Sequence, residues 1–228
     1  MTELAERLAG LRDRIAAACA AAGRRPGEVE LLAVSKTFPV EAVQEAYNAG
    51  HRHFGESRQQ EAGPKIAVLP RDIHWHFIGS LQRNKVRKVL GEFDVIHSVD
   101  SLRLAEYLDR VAGEEGKRPE IYLEVNVAGE ESKGGFSPAE LLEAPEILAG
   151  MQNVEITGLM SIPPDDPQRA RHWFGATREL RDRLRAASGL HLPGLSMGMS
   201  GDFEQAILEG STIVRVGSAI FGHRSYPA

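Results

Sequence analysis

The sequence predicts an α/β fold, a single (β/α)8 TIM barrel with an additional N-terminal helix. Eight short apolar segments alternate with helical patterns, which is typical of βαβ units that form a parallel sheet. The chain has 228 residues, a length that suits eight such units in one closed barrel. The first strand ends in Ser35-Lys36-Thr37-Phe38-Pro39 and lacks the Gly-rich turn that usually follows the first strand of an open dinucleotide-binding sheet.

The elements follow in order from the N-terminus. Leu4, Leu8, Leu11 and Ile15 recur at helical spacing and predict a helix over 2–22. The apolar centre of 28–36 predicts a first strand that is buried on both faces. Later strands are predicted over 53–55, 74–79, 93–99, 120–127, 154–162, 192–196 and 211–218. The intervening helices are predicted over 39–50, 57–67, 82–90, 101–113, 138–149, 167–187 and 202–209, before a last turn that closes at Gly222. We see no linker, so residues 1–228 are predicted to form one domain.

Composition restricts the class of partner and the compartment. The chain has 27 Lys+Arg against 32 Asp+Glu, a net charge of −5, which argues against nucleic acid as the main partner. The longest apolar run, 15–22, is too short to cross a bilayer. With Cys19 as its one cysteine the chain forms no internal disulfide, which fits a reducing compartment. We therefore expect a cytoplasmic protein without a membrane segment.

The chemistry of a (β/α)8 barrel lies at the carboxyl ends of its strands. Lys36 ends the first strand, where partial desolvation lets an amine form a Schiff base with an aldehyde. Ser196–Gly201 and Gly217-Ser218 follow the last two strands, which commonly bind phosphate. Taken singly, Lys36 also fits a surface lysine and either loop also fits a tight turn. Together they indicate an aldehyde-bearing phosphate ester, such as pyridoxal phosphate.

Two His-x-His pairs, His51/His53 and His74/His76, raise a metal hypothesis because alternate residues of a strand share a face. A third ligand at consistent spacing is not evident in the sequence. We therefore predict no metal.

The chain resembles the pyridoxal phosphate homeostasis proteins, which are related to the N-terminal barrel of bacterial alanine racemase. The resemblance covers nearly the whole chain, and its segments run in the family's order. They are LLAVSKTFP (31–39), FGE (54–56), HWHFIGSLQRNK (74–85), HSVDS (97–101), LEVNVAGEESKGG (123–135), GLMSIPP (158–164), LSMGMSGDFEQAILEGSTIVRVGSAIFG (195–222) and HRSY (223–226).

The resemblance implies a cofactor, pyridoxal 5'-phosphate (PLP), and a set of residues that bind it. Lys36 is implied to hold the cofactor as an aldimine, and Arg215 to face the pyridine nitrogen. The phosphate is implied to lie on Ser200, Gly217 and Ser218, with Met199 nearby. One departure is that Ser57 and Arg58 replace the amide and the aromatic residue that usually follow the FGE motif.

Two functions fit this set. The first is a carrier or buffer in intracellular vitamin B6 homeostasis, monomeric, with apo PLP-dependent enzymes as recipients and no catalytic residue. The second is a racemase-like enzyme that acts on amino acids. Racemisation needs a second acid/base group opposite the lysine, and no tyrosine is placed to provide one. Only 223–228 follow Gly222, too few for the additional domain of alanine racemase. We therefore favour the carrier.

Overall fold

The computed structural model describes residues 2–130, 132–166 and 168–222. Its strands are β1 (Glu30–Val34), β2 (His53–Glu56), β3 (His74–Phe77), β4 (Val95–Val99), β5 (Glu120–Val125), β6 (Glu155–Ser161), β7 (Gly194–Ser196) and β8 (Ile213–Val216). The helices are α1 (Glu3–Ala21), α2 (Val40–Asn48), α3 (Gln59–Val68), α4 (Val86–Glu92), α5 (Leu102–Glu114), α6 (Pro138–Glu143), α7 (Pro145–Ala149), α8 (Ala170–Ser188), α9 (Phe203–Leu208) and α10 (Ser218–Phe221).

The eight strands are parallel and close into a barrel in chain order, because β8 pairs with β1. At this seam Leu32 lies opposite Arg215. The predicted (β/α)8 barrel is therefore confirmed. The closed order brings the carboxyl ends of all eight strands to one end of the barrel.

Both faces of the strands are buried, as the sequence of β1 predicts. Leu31 and Ala33 belong to the large cluster that packs the sheet against the helices. Leu32, between them, belongs to a small separate cluster with Tyr122 and Met160. Successive residues of a strand point to opposite faces, so this small cluster fills the barrel interior.

The N-terminal helix completes the outer ring of helices. Its buried residues include Leu4, Leu8, Leu11 and Ile15, the stripe that predicts it. The helix packs against α2 on one side and against α9 and α10 on the other. Within the described chain, the helix that follows β8 is α10, which has four residues. In the outer ring α1 lies next to this short helix.

Several boundaries differ from the prediction. The single helix predicted over 138–149 is wrong, because the structure divides it at Ala144 into α6 and α7. Pro145 has no backbone N–H and its ring excludes a continuous helix there. The helix predicted over 82–90 starts at Val86, since Arg83–Lys85 form a 3-10 turn. The helix predicted over 167–187 starts at Ala170, and Pro167 lies outside the described residues.

None of the helices in the described ranges combines the length and the apolar character that a membrane crossing requires.

Candidate functional site

A cavity of about 610 Å³ lies at the carboxyl ends of the strands. It brings together every site residue that the sequence and the resemblance indicate, namely Lys36, Met199, Ser200, Arg215, Gly217 and Ser218. The other lining residues are largely apolar: Val34, Phe38, Ile78, Met160, Ile162, Gly201 and Gly222. Volume and lining are those of a small-molecule site with a few convergent polar groups.

The end of β1, which carries Lys36, is held by a buried network. The Ser35 hydroxyl donates to Glu56 Oε1 at 2.7 Å. The Lys65 ammonium donates to the same oxygen at 2.7 Å and to the Ser35 carbonyl at 3.0 Å. The Glu56 side chain is fully buried. This network ties the residue before Lys36 to β2 and α3.

The backbone turns sharply just after Lys36. Thr37 has a φ of +71° and is the one non-glycine residue with positive φ in the described ranges. A β-branched residue rarely adopts this region, and such strain costs roughly 1–3 kcal/mol. Strained residues cluster where a fold positions a functional group. Here Thr37 directly follows Lys36, whose side chain carries the amine.

The two loops predicted to bind phosphate meet at the cavity. The Ser218 hydroxyl lies 3.3 Å from the Ser200 hydroxyl. Gly198, with a φ of +95°, has no room for a side chain, since an added Cβ would lie 2.6 Å from the Ala206 Cβ. An added Cβ at Gly217 would lie 3.2 Å from the Val34 carbonyl oxygen. The glycines therefore let the first loop pack closely against α9 and the second against the end of β1.

Arg215 places a fixed positive charge in the cavity. Its guanidinium is buried and donates to the Ser196 carbonyl at 2.6 Å, the Ser196 hydroxyl at 2.8 Å and the Ser161 carbonyl at 2.9 Å. Burial lowers the pKa of Arg215 to about 10, partly offset by the Glu124 and Asp202 carboxylates. Arg215 thus stays protonated at pH 7, and its three hydrogen bonds fix its direction.

Sequence reasoning placed Ser196 in a predicted phosphate loop and assigned neither Ser196 nor Ser161 to Arg215, and it missed part of the apolar wall. Ser161 and Ser196 end β6 and β7, so their position at the carboxyl ends was the available signal. Phe38 and Ile162 line the cavity, and the Phe38 ring stacks on Phe221 at 5.0 Å between centroids. Nothing in their local pattern separates these apolar residues from ordinary core residues.

The departure at Ser57 and Arg58 lies away from the cavity lining. The Arg58 side chain is exposed and donates to Glu61 at 2.8 Å. The Ser57 carbonyl packs so closely on β3's end that an added Cβ at Gly79 would lie 1.9 Å from it. Neither residue lines the cavity.

The described tyrosines also lie elsewhere. Tyr47 donates to the exposed carboxylate of Asp72, and Tyr107 lies beneath Arg110. Tyr122 lines a second cavity at the opposite end of the barrel. Tyr226 and the rest of the HRSY segment lie outside the described residues.

Solved structures share this architecture. PipY of Synechococcus elongatus, solved with PLP bound, is 44% identical, with a TM-score of 0.86 over 96% of this chain and 100% of PipY. An alanine racemase of Clostridium difficile has a TM-score of 0.74 over 99% of this chain and 57% of its own. Its identity is 14%, so this second likeness shows the fold alone.

The sequence comparisons agree. The model of the alanine racemase N-terminal domain matches residues 7–225. A pyridoxal phosphate homeostasis protein of Aquifex aeolicus is 46% identical over 97% of this chain and 98% of its own. The protein of that name from Escherichia coli K12 is 41% identical over 99% of each chain. The chain therefore belongs to the alanine racemase N-terminal domain family and, within it, to the pyridoxal phosphate homeostasis proteins.

Proposed function

We propose that this chain binds PLP in the cavity at the carboxyl ends of its strands and acts in PLP homeostasis as a carrier that holds and releases the cofactor. One observation carries the proposal: an amine, a hydroxyl pair and a guanidinium line one cavity. These groups match the aldehyde, the phosphate and the ring nitrogen of PLP. The PLP-bound relative and the homeostasis proteins in the family support the same assignment.

Lys36 is the residue that would hold the cofactor covalently. PLP supplies an aldehyde that condenses with amines and a ring that withdraws electrons. Lys36 is half-buried, and the network of Ser35, Glu56 and Lys65 fixes the backbone before it. The chain thus presents its amine from a rigid strand end beside an apolar wall that would cover the ring.

Ser200, Ser218 and the backbone at Gly217 would hold the phosphate. A charge-assisted hydrogen bond from each hydroxyl contributes about 1.5–3 kcal/mol. The first backbone N–H groups of a helix have no partner within the helix, so those of α10 add donors at this place. The Met199 side chain, exposed at the cavity edge, would flank this end of the ligand.

Arg215 favours holding the cofactor over catalysis. A guanidinium has donors and no acceptor, so a pyridine nitrogen facing it must accept and stays unprotonated. A protonated ring nitrogen is what makes PLP an effective electron sink. Arg215 therefore weakens the stabilisation of negative charge next to the ring.

Among the described residues of the cavity lining, the racemase-like alternative finds no second proton-transfer group opposite the lysine. The lining contains no tyrosine, histidine, cysteine or carboxylate among these residues, and Lys36 is its one amine. Racemisation requires a proton removed on one face and returned on the other. The lining therefore supports the carrier.

The domain organisation, the compartment and the oligomeric state that we propose are those expected from the sequence. We expect residues 1–228 to act as one PLP-binding domain, in the cytoplasm and as a monomer. The cavity opens to solvent beside the exposed residues Met199 and Ser218, which fits transfer to apo PLP-dependent enzymes.

A comparison of PLP with pyridoxal, which lacks the phosphate, tests the binding mode. The double variant Ser200→Ala/Ser218→Ala should bind PLP at least about 100-fold more weakly, from two hydrogen bonds of about 1.5–3 kcal/mol each. Its affinity for pyridoxal should hardly change. Ser57→Ala, outside the cavity, is the matched control. Equal losses for both ligands would contradict the phosphate assignment.

Hydrogen exchange in deuterated water separates the carrier from the enzyme. The PLP-loaded protein is incubated with L-alanine and other amino acids, and α-deuterium and stereoinversion are measured. We expect no more exchange than free PLP gives. Exchange well above that level, abolished in Lys36→Ala, would show an enzyme.

A further inference from the structure

A second cavity, of about 470 Å³, lies at the amino ends of the strands, opposite the proposed PLP site. Glu30 begins β1, His53 begins β2 and His76 lies within β3. The barrel closes these neighbouring strands side by side, so the three side chains converge. Neither the proposed function nor the cavity at the other end uses them.

The three groups are spaced as ligands of one metal ion. His53 Nδ1 lies 3.1 Å from Glu30 Oε2 and 3.3 Å from His76 Nε2. His76 Nε2 lies 3.7 Å from Glu30 Oε1. A tetrahedral ion with nitrogen and oxygen ligands at 2.0–2.1 Å separates neighbouring ligand atoms by about 3.3 Å. The two imidazole nitrogens are separated by that value, and each of them faces its own oxygen of Glu30, so that one ligand atom from each of the three residues lies within 4.8 Å of the others.

The cluster is not satisfied by its own hydrogen bonds. Glu30 Oε1 is buried and has no hydrogen-bond partner in the described structure. His76 Nε2, at 3.7 Å from this oxygen, is too far for a hydrogen bond. A buried carboxylate oxygen without a donor is costly, and a cation between the three groups removes that cost.

A chain of hydrogen bonds behind His76 can set the tautomer that a metal needs. His76 Nδ1 lies 2.9 Å from His97 Nε2, and His97 Nδ1 lies 2.8 Å from Ser196 Oγ. With a proton on each Nδ1, His76 donates to His97 and His97 donates to Ser196, which leaves the lone pair of His76 Nε2 facing Glu30. A metal-bound histidine almost always donates its other ring N–H to an acceptor that fixes its tautomer, and His97 Nε2 occupies the place of that acceptor here.

We propose that Glu30, His53 and His76 bind a divalent transition-metal ion, of which Zn²⁺ is the best match. Two imidazoles and one carboxylate suit zinc, whereas magnesium and calcium prefer oxygen ligands alone. The cavity leaves a fourth position open to water. The further carboxylates of Asp94 and Glu120 line the same cavity and add to its negative charge.

The protonation states fit this assignment. Burial lowers the pKa of His76 to about 3, and burial also lowers the pKa of His53, so both imidazoles are neutral at pH 7. Neutral imidazole is the form that binds metal.

The sequence hid this site because each His-x-His pair contributes one histidine and the third ligand comes from another strand. His51 is turned away, with its Nε2 2.8 Å from the His53 carbonyl. His74 stacks on the His53 ring at 4.9 Å between centroids and is exposed. His74 therefore lies beside the proposed ligands and contacts one of them, whereas His172, which is exposed on α8 and lines neither cavity, provides a control for the loss of a histidine.

Zinc titration of the full chain tests the site. After treatment with a chelator and its removal, Zn²⁺ alone is titrated by calorimetry, with and without PLP, and we expect one ion per chain in both cases. Glu30→Gln and His53→Gln should each weaken binding at least 100-fold, since loss of an outer-shell partner alone costs 10–100-fold. His172→Gln should bind like the wild type.

A thermal melt of each variant without metal checks folding. The half-buried Glu30 and His53 tolerate an amide better than the buried His76 does, so they are the informative positions. The proposal is overturned by an absence of stoichiometric Zn²⁺ binding to the wild type. It is equally overturned if folded Glu30→Gln and His53→Gln retain wild-type affinity, or if His172→Gln loses as much as they do.

Discussion

Removal of the Lys65 ammonium should lower the free energy of unfolding far more than removal of Arg58, an exposed cation at the start of the same helix, α3. In Lys65→Met the fully buried Glu56 carboxylate loses its ion pair at 2.7 Å, and among the described residues Ser35 Oγ remains as its one side-chain donor. Glu56 Oε2 already lacks a hydrogen-bond partner in the described structure. Breaking a buried pair from one side costs about 3–5 kcal/mol, because a charge is left uncompensated.

Arg58→Met is the matched control. Arg58 also pairs with a carboxylate at 2.8 Å, but its side chain is 71% exposed, so its loss should cost below about 1 kcal/mol. Urea unfolding measures both variants, and with an m-value of roughly 3 kcal/mol/M the Lys65→Met midpoint should fall by more than 1 M. The double variant Glu56→Gln/Lys65→Met should regain much of the stability. Equal losses for Lys65→Met and Arg58→Met would refute the reasoning.

Three further predictions concern the backbone and pH. Gly79→Ala should cost about 3 kcal/mol in urea unfolding, because its Cβ would lie 1.9 Å from a carbonyl oxygen, whereas Gly10→Ala, with open space in α1, should stabilise slightly. Thr37→Gly should raise the free energy of unfolding by about 1 kcal/mol, since release of the backbone strain outweighs the entropy cost of glycine. A lower free energy of unfolding in this variant would contradict the strain at Thr37. Burial lowers the pKa of the His51 side chain to about 4. As the pH falls below about 6.5, this imidazole is therefore protonated in the unfolded chain before it is protonated in the folded protein. Between pH 7 and pH 5 the buried histidine should therefore cost about 2 kcal/mol of stability in EDTA-containing buffer. In His51→Gln the free energy of unfolding should fall correspondingly less between pH 7 and pH 5 than in the wild type. Equal falls in the two proteins would contradict the lowered pKa of His51.

The sequence predicts the fold well because the barrel has a strong local signature. Its strands are apolar on both faces and its helices are amphipathic, so the alternation is visible without tertiary information. The boundary errors come from details that periodicity does not report. Pro145 divides a periodic stretch into α6 and α7, and a 3-10 turn delays α4 to Val86.

The candidate site likewise contains residues that the sequence predicts and residues that it does not. Lys36, Ser200 and Ser218 could be found from the sequence because they end strands or follow them, where barrel chemistry lies. The support behind them could not, since Lys65 lies on α3 and reaches back to the end of β1. The cluster of Glu30, His53 and His76 likewise depends on which strands become neighbours. Closure of the sheet, and not spacing along the chain, brings these groups together.

Borohydride reduction of the PLP-loaded protein followed by peptide mapping tests the central claim that Lys36 holds the cofactor. Reduction fixes the cofactor to the amine that carries it, and mass spectrometry of the peptides identifies that amine. We predict the label on Lys36 and none in Lys36→Ala. Lys133→Ala is the control, because Lys133 Nζ reaches 3.4 Å from the carbonyl oxygen of the lining residue Ile162, and it should keep full labelling at Lys36. Label on Lys133 or another lysine, with undiminished labelling of Lys36→Ala, would contradict the account.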